Sequence, residues 1–167
     1  MQSRQSIKKL KALALEANRR KYPNFPEYAR VTPSYTDKDA NGLTKCIIDY
    51  IRMTGGQAER ISVTGRKING KKVFTDAAGC KRQIGKDKYI KSNMRKGSAD
   101  ISATIAGRSV KIEVKIGKDR QSQAQREYEE EIKRAGGIYF IAKSFDDFLE
   151  KLKSYDLHTT NILEKQK

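Results

Sequence analysis

Two runs of alternating apolar residues, separated by a glycine-containing break, lie between Ser98 and Ile116. A period of two is typical of a half-buried strand, and two such runs joined by a short break predict a β-hairpin. Because strand side chains point alternately to opposite faces, Asp100, Glu113 and Lys115 share the face opposite the apolar one. The apolar face consists of Ile101, Ala103, Ile105, Val110, Ile112, Val114 and Ile116.

The position of the hairpin turn decides which residue lies opposite Asp100. A turn at Ala106-Gly107 places it across from Glu113, and a turn one residue later places it across from Lys115. Both registers keep the apolar face intact, so the sequence leaves both open. In either register two carboxylates and one ammonium group converge.

Neighbouring carboxylates repel each other unless a proton or a cation lies between them, and sites made of oxygen ligands suit Mg²⁺ or Mn²⁺. Such a cation polarises a phosphodiester and lowers the pKa of a bound water. Lys115 is placed to orient that water or to offset charge that develops on the phosphate. The alternative is an ordinary solvated strand face, on which Asp100 and Lys115 form a simple cross-strand pair.

Four short motifs follow one another in an informative order. They resemble the VRR-NUC branch of the PD-(D/E)xK nuclease superfamily, and the similarity covers residues 41–148. The resemblance implies an α/β fold with a restriction-endonuclease-like αβββαβ core, a four-stranded mixed sheet flanked by helices. Family members that stand alone, many from phages and bacteria, resemble junction-cleaving endonucleases. The motifs are Gly97-Ser98-Ala99-Asp100, Glu113-Val114-Lys115, Ser122-Gln123-Ala124-Gln125 and Gly136-Gly137-Ile138-Tyr139-Phe140.

The resemblance also implies roles for individual residues. Asp100 and Glu113 would bind the metal, together with the main-chain carbonyl of Val114. Lys115 would serve the attacking water, and Gln125 would lie near the active site. Gln125 has a second interpretation, because a Gln three residues after a Ser N-cap is explained by a reciprocal capping box. The two roles are compatible.

One position departs from the family pattern. The family has a Glu near the start of its first core helix, and the nearest match here is Asn41. Its amide can bind a metal-bound water but carries no charge, and Asp39 is the substitute if the alignment shifts by two. We therefore expect weaker metal binding, or greater dependence on the substrate phosphate.

The remaining elements predict one domain with a basic insertion. We expect a basic N-terminal helix and a proline-containing loop over residues 1–36, a nuclease-like domain over 37–155 and a C-terminal tail over 156–167. A strand is predicted over Gln57–Thr64, and helices are predicted from Ser6 to about Lys21, around Leu43–Ile51, from Ser122 and from Phe145. The N-terminal helix is open to three interpretations: a second nucleic-acid contact, a dimerisation arm or an undocked tail.

Charge predicts a polyanionic partner. The chain has 36 Lys and Arg against 20 Asp and Glu, a net charge of +16, and the segment 65–96 is its most basic part. We expect a hairpin there, pairing Lys71–Thr75 with Lys88–Lys91, that contacts the phosphate backbone. A solvated, partly mobile excursion is the alternative. The expected contacts are Arg66, Lys67, Lys71, Lys72, Lys81, Arg82, Arg95 and Lys96.

Several functional classes are excluded by composition. A single histidine, His158, cannot supply a His-pair nuclease or a usual His/Cys zinc site within one chain. It lies near the C-terminus outside any motif, which argues against a Ser-His-Asp hydrolase. No G-x-x-x-x-G-K-[ST] loop supports nucleotide hydrolysis. Cys46 and Cys80 lack metal spacing, and Cys46 reads as a small core residue. We expect no membrane association and a cytoplasmic location in a bacterial or phage-infected cell.

The sequence therefore predicts a Mg²⁺- or Mn²⁺-dependent endonuclease that hydrolyses DNA, with branched or junction DNA as a candidate substrate. Two alternatives remain: a DNA-binding module of the same fold with weak or no catalysis, and an RNA-directed nuclease. A homodimer would suit the cleavage of both strands of a junction.

Overall fold

The computed structural model describes residues 2–62, 65–92 and 95–157. The described chain divides into two compact units, of which Ser62–Lys96 is the second and the remainder is the first. The predicted insertion, 65–96, lies inside the second unit. His158 and the rest of the predicted C-terminal tail beyond residue 157 lie outside the described residues, as do residues 63–64 of the predicted strand. In the first unit the helices are α1 (Gln2–Lys21), α2 (Ala40–Met53), α3 (Gln123–Arg134) and α4 (Phe145–Ser154), and a short 3₁₀ helix covers Glu27–Ala29.

Eight strands complete the described chain. In chain order they are β1 (Gln57–Arg60), β2 (Arg66–Ile68), β3 (Lys72–Thr75), β4 (Lys81–Ile84), β5 (Lys88–Ile90), β6 (Ile101–Ile105), β7 (Arg108–Val114) and β8 (Ile138–Ala142). In the first unit, β1, β6, β7 and β8 form one sheet in that order. The pairs β1–β6 and β6–β7 are antiparallel and β7–β8 is parallel. The α/β class and the four-stranded mixed sheet with flanking helices are confirmed.

The β6–β7 hairpin takes the first of the two registers that the sequence left open. Ile105 lies opposite Arg108, so Ala106 and Gly107 form the turn. Both turn residues have positive φ, 49° and 75°, as a two-residue turn matched to strand twist requires. The same register extended by one residue pair beyond Ile101 and Ile112 sets Asp100 against Glu113.

The two faces of the sheet have different coverings. One face carries the predicted apolar residues of β6 and β7, which are buried in a core with α2, α4 and two residues of α1, Leu10 and Ala14. The N-terminal helix is therefore docked rather than an undocked tail. Cys46 is fully buried in this core, as predicted. The opposite face meets α3 through an edge-to-face contact of Tyr128 with Tyr139, whose ring centroids lie 6.3 Å apart.

The strand pairing that we predicted in the basic segment is wrong. Residues Lys72–Thr75 pair with Lys81–Ile84, and Lys88–Ile90 pair with Arg66–Ile68. The reason is a locally closed turn after β3, where the Asp76 carboxylate accepts hydrogen bonds from the main-chain N–H groups of Ala78 and Cys80. No described residue of the second unit is buried.

Throughout the described residues, no helix combines the length and apolar character needed to cross a membrane.

Candidate functional site

The hairpin register positions the two predicted carboxylates next to each other. Asp100 immediately precedes β6, and its Oδ2 accepts a hydrogen bond of 2.9 Å from the main-chain N–H of Val114. Its main-chain carbonyl accepts a hydrogen bond of 2.8 Å from Ile61, which follows β1. Asp100 is thus held between the neighbouring strands on both sides of β6.

Glu113 lies in β7 on the polar face and is only 1% exposed. Its Oε1 accepts hydrogen bonds from Lys115 Nζ, at 3.0 Å, and from Gln125 Nε2. Its Oε2 is buried and has no hydrogen-bond partner among the described residues. A buried carboxylate oxygen without a donor is costly, by about 1–3 kcal/mol or more for a charged group.

The protonation of Glu113 reflects this environment. Burial raises the pKa of the Glu113 carboxyl to about 7, and the neighbouring negative charge of Asp100 adds to the increase, whereas Lys115 opposes it. For Lys115, burial alone would lower the pKa, but the hydrogen bond and the charge of Glu113 outweigh burial and raise it. Lys115 is therefore an ammonium group at neutral pH.

Lys115 and Gln125 join the end of β7 to the start of α3. The main-chain N–H of Lys115 donates to the Ala142 carbonyl at 3.0 Å, which extends the parallel ladder and keeps Lys115 on the Glu113 face. Its Nζ also donates to Gln125 Oε1 at 3.2 Å. Gln125 Oε1 accepts a further hydrogen bond from the Ser122 N–H at 2.9 Å, which completes the predicted capping box. The capping interpretation of Gln125 is confirmed, and the same side chain also contacts Glu113 and Lys115.

A glycine brings the chain before Asp100 close to α3. Gly97 has φ of 85°, and a Cβ at this position would collide with the carbonyl of Ala124 in the first turn of α3. Only glycine accommodates both the conformation and the close approach. The G-x-x-D motif therefore positions Asp100 through its glycine.

Asn41 belongs to a different set of contacts. Its side-chain oxygen accepts a hydrogen bond of 2.7 Å from Arg60 Nη2. Asp39, the alternative acid, is the N-cap of α2, and its carboxylate accepts the N–H of Gly42 at 2.9 Å. The structure joins Asp100, Val114, Glu113, Lys115 and Gln125 by direct contacts, and it gives Asn41 and Asp39 other partners.

Asp119 is a neighbouring acid that the sequence interpretation missed. Its carboxylate lies 3.4 Å from Lys115 Nζ, and its N–H donates to the Ile116 carbonyl in a tight turn. The i,i+4 spacing from Lys115 was the available signal, but such spacing indicates contact only where a turn follows the strand.

The oxygen donors at this site suit a hard cation that needs few ligands from the protein. Within the described residues, no group of three or more His, Cys, Asp or Glu side chains is arranged to hold a metal ion. The protein ligands would be two carboxylates, Asp100 and Glu113, with the Val114 carbonyl. The unpartnered Oε2 of Glu113 supplies a free oxygen, and a cation that binds through so few protein groups retains waters or takes substrate oxygens, as Mg²⁺ does.

The predicted nucleic-acid contacts all lie in the second unit and are exposed. Ion pairs join Lys67 to Asp87 at 2.6 Å, Lys71 to Asp87 at 3.9 Å, and Arg82 to Asp76. Exposed pairs of this kind are weak and exchange readily for phosphate. The full set is Arg66, Lys67, Lys71, Lys72, Lys81, Arg82, Arg95 and Lys96.

Comparison of the chain with family models, with curated proteins and with solved structures finds no match.

Proposed function

We propose that this chain is a metal-dependent endonuclease that hydrolyses DNA phosphodiester bonds, built on a restriction-endonuclease-like core and related to the VRR-NUC family. The element order of the first unit supports this proposal, since α2, β1, β6, β7, α3 and β8 follow the order αβββαβ. The net charge of +16 supports a polyanionic substrate.

The observation that carries the proposal is the state of Glu113. A fully buried carboxylate beside a second carboxylate, with one oxygen bound by Lys115 and Gln125 and the other without a donor, is poorly explained by packing alone. A divalent cation at Oε2 would relieve both the repulsion and the missing interaction. Perturbed carboxylates of this kind cluster at functional sites.

Each residue then has a defined task. A bound Mg²⁺ or Mn²⁺ would polarise the scissile phosphate and lower the pKa of water. Asp100 and Glu113 would hold the ion, and Gln125 fixes the rotamers of Glu113 and Lys115 by bonding to both. Because Lys115 is an ammonium group at neutral pH, it acts as a hydrogen-bond donor that orients water or offsets phosphate charge, not as a base.

Cleavage assays test the proposal. Purified protein would be incubated with duplex, flap, four-way junction and RNA substrates in Mg²⁺, Mn²⁺ or chelator. We expect cutting that requires metal, and we expect Glu113→Gln and Lys115→Met to reduce it by at least about 100-fold while DNA binding persists. Lys118→Met, an exposed neighbour of equal charge, is the matched control and should cut normally. Absence of cutting in every metal would refute the enzyme.

A DNA-binding module with weak or no catalysis is the second candidate. Asn41 favours it, because an uncharged amide stands where the family has a Glu, and its oxygen already accepts a hydrogen bond from Arg60. Metal-independent binding without cutting would establish this candidate, and preferential cutting of RNA would establish the RNA-directed alternative. Light scattering of the free protein tests the homodimer that junction cleavage would use.

A further inference from the structure

The two short sheets of the second unit share one register. Arg66 lies opposite Ile90 in the β2–β5 ladder, and Lys72 lies opposite Ile84 in the β3–β4 ladder. The numbers of the paired residues add up to 156 in both cases, 66 with 90 and 72 with 84. The ladders are therefore two parts of a single antiparallel β-ribbon, with an interruption at residues 69–71 and 85–87.

The strands stay adjacent through the interruption. A Cβ on Gly70 would collide with the Lys86 carbonyl, and a Cβ on Gly85 would collide with the Gly70 carbonyl. The alternation of faces also continues, since Lys67 in β2 and Lys71 at the end of the interruption both reach the Asp87 carboxylate. These three residues have odd numbers and share one face.

The even-numbered face has the larger excess of positive charge. Within the span from residue 66 to residue 90 the even-numbered positions have five cations and one carboxylate, Asp76, which pairs with Arg82 at the turn. The odd-numbered positions have three cations and one carboxylate, Asp87. Between the even-face cations lie apolar side chains, all exposed: Ile68, Phe74, Ile84 and Ile90, from 37% to 56%. The five cations are Arg66, Lys72, Arg82, Lys86 and Lys88.

We propose that this ribbon lies in the major groove of duplex DNA, with its even-numbered face toward the bases. The proposal rests on the proposed function only in taking DNA as the substrate. A two-stranded ribbon fits the major groove of B-form DNA, and the ten residues from 66 to 75 span about 33 Å, close to one helical turn. Exposed isoleucine and phenylalanine side chains suit contact with thymine methyl groups, while the flanking cations reach phosphates.

The same geometry discriminates against RNA. The major groove of an A-form helix is deep and narrow, and side chains cannot read it. The ribbon should therefore bind duplex DNA much more tightly than duplex RNA of the same sequence.

Matched double variants test which face binds. Lys72→Gln with Lys88→Gln removes two even-face charges, and Lys71→Gln with Lys81→Gln removes two odd-face charges. Binding would be measured by fluorescence anisotropy in chelator, so that cleavage does not interfere. Loss of two phosphate contacts weakens binding by roughly 60-fold at 0.1 M salt and reduces the salt slope by about 1.8. We expect this loss for the even-face pair and a much smaller one for the odd-face pair. Equal losses would overturn the assignment of the face.

Groove occupancy is tested separately. Methyl green, a major-groove ligand, should compete with the protein, and netropsin, a minor-groove ligand, should not. Replacing thymine by uracil in the duplex removes the methyl groups and should weaken wild-type binding several-fold. The double variant Phe74→Ala/Ile84→Ala should bind the two duplexes with equal affinity. Competition by netropsin alone, or equal affinity for duplex RNA, would overturn the proposal.

The outcomes separate this inference from the nuclease. If the even-face variants bind DNA with unchanged affinity and still cut it, the ribbon proposal is overturned and the enzyme proposal is not. Groove binding without cutting would support the ribbon and refute the enzyme. If the even-face variants change the molar mass in light scattering but not the DNA affinity, the face contacts a second copy of the chain and the proposal fails.

Discussion

Gln125 is the residue whose replacement best separates the construction of the site from helix capping. It accepts from the Ser122 N–H, which belongs to the cap, and it bonds to Lys115 and Glu113, which belong to the site. Gln125→Ala removes both sets of contacts. Ser122→Ala removes the reciprocal cap contact to the Gln125 N–H and leaves the site contacts in place.

The expected magnitudes differ by more than measurement error. Loss of a Ser N-cap costs about 1 kcal/mol. The hydrogen bond from the Ser122 N–H to the Gln125 side chain contributes about 0.5–1 kcal/mol. The hydrogen bond from Gln125 to the buried Glu113 contributes about 1.5–3 kcal/mol. Gln125→Ala should therefore cost about 2–4 kcal/mol, which lowers Tm by about 4–16 °C in a chain of this length, against about 2–4 °C for Ser122→Ala.

Urea denaturation followed by circular dichroism, with both single variants and the double variant, measures these energies. Cleavage rates provide a second readout, because Gln125→Ala should slow cutting and Ser122→Ala should not. If the two variants lose equal stability and cut equally well, Gln125 acts only as a cap, and the argument that it fixes the rotamers of Glu113 and Lys115 is refuted.

Three further predictions concern the site and the core. In metal-free protein the raised pKa of Glu113, about 7 against 4.5, makes its contribution to stability complete below about pH 4.5 and lost as pH rises through 7. The free energy of unfolding of Glu113→Gln relative to wild type should thus increase by on the order of 2 kcal/mol over that range. Urea denaturation at pH 5 and pH 7 measures this, and the same difference between variant and wild type at both pH values would contradict it. Leu10→Ala should cost about 2–4 kcal/mol in thermal unfolding, because Leu10 is buried in the core; a cost under 0.5 kcal/mol would mean that α1 is undocked. Gly97→Ala should destabilise by at least about 2 kcal/mol more than Gly136→Ala, since both have positive φ but only Gly97 faces a collision; equal costs would remove the close approach to α3.

The hairpin was predictable because its pattern is local. The predicted apolar positions of β6 and β7 are buried, and a single turn fixes the register for both strands. The alternation of burial ends at Glu113, a polar-face residue that is also buried. The sequence could not choose between the two turns, because both leave the apolar face intact. The observed turn requires a positive φ of 49° at Ala106. Few sequence rules assign this conformation to alanine.

Features that depend on contacts between distant residues were not predictable in the same way. The strand partners in the basic segment depend on the turn that Asp76 closes with its own carboxylate, and Gly70 and Gly85 keep the ribbon in register. The partner of Asn41 comes from β1, 19 residues away. Sequence spacing indicates neighbours within one element, but these partners are set by the packing of different elements.

The energetics of Glu113 and Lys115 connect the fold to the proposed chemistry. A buried ion pair is weak evidence for stability, because desolvation of both charges can exceed their attraction, and well-packed apolar residues would often stabilise the same space as well or better. Here the cost is increased by a second carboxylate, Asp100, and by the unpartnered Oε2. Violations of the usual packing rules concentrate where a protein acts on a ligand. The stability assay distinguishes the two explanations: replacement of both Glu113 and Lys115 by Met should keep or raise the free energy of unfolding while it abolishes metal-dependent cutting. A loss of several kcal/mol would instead show that the pair is retained for the fold.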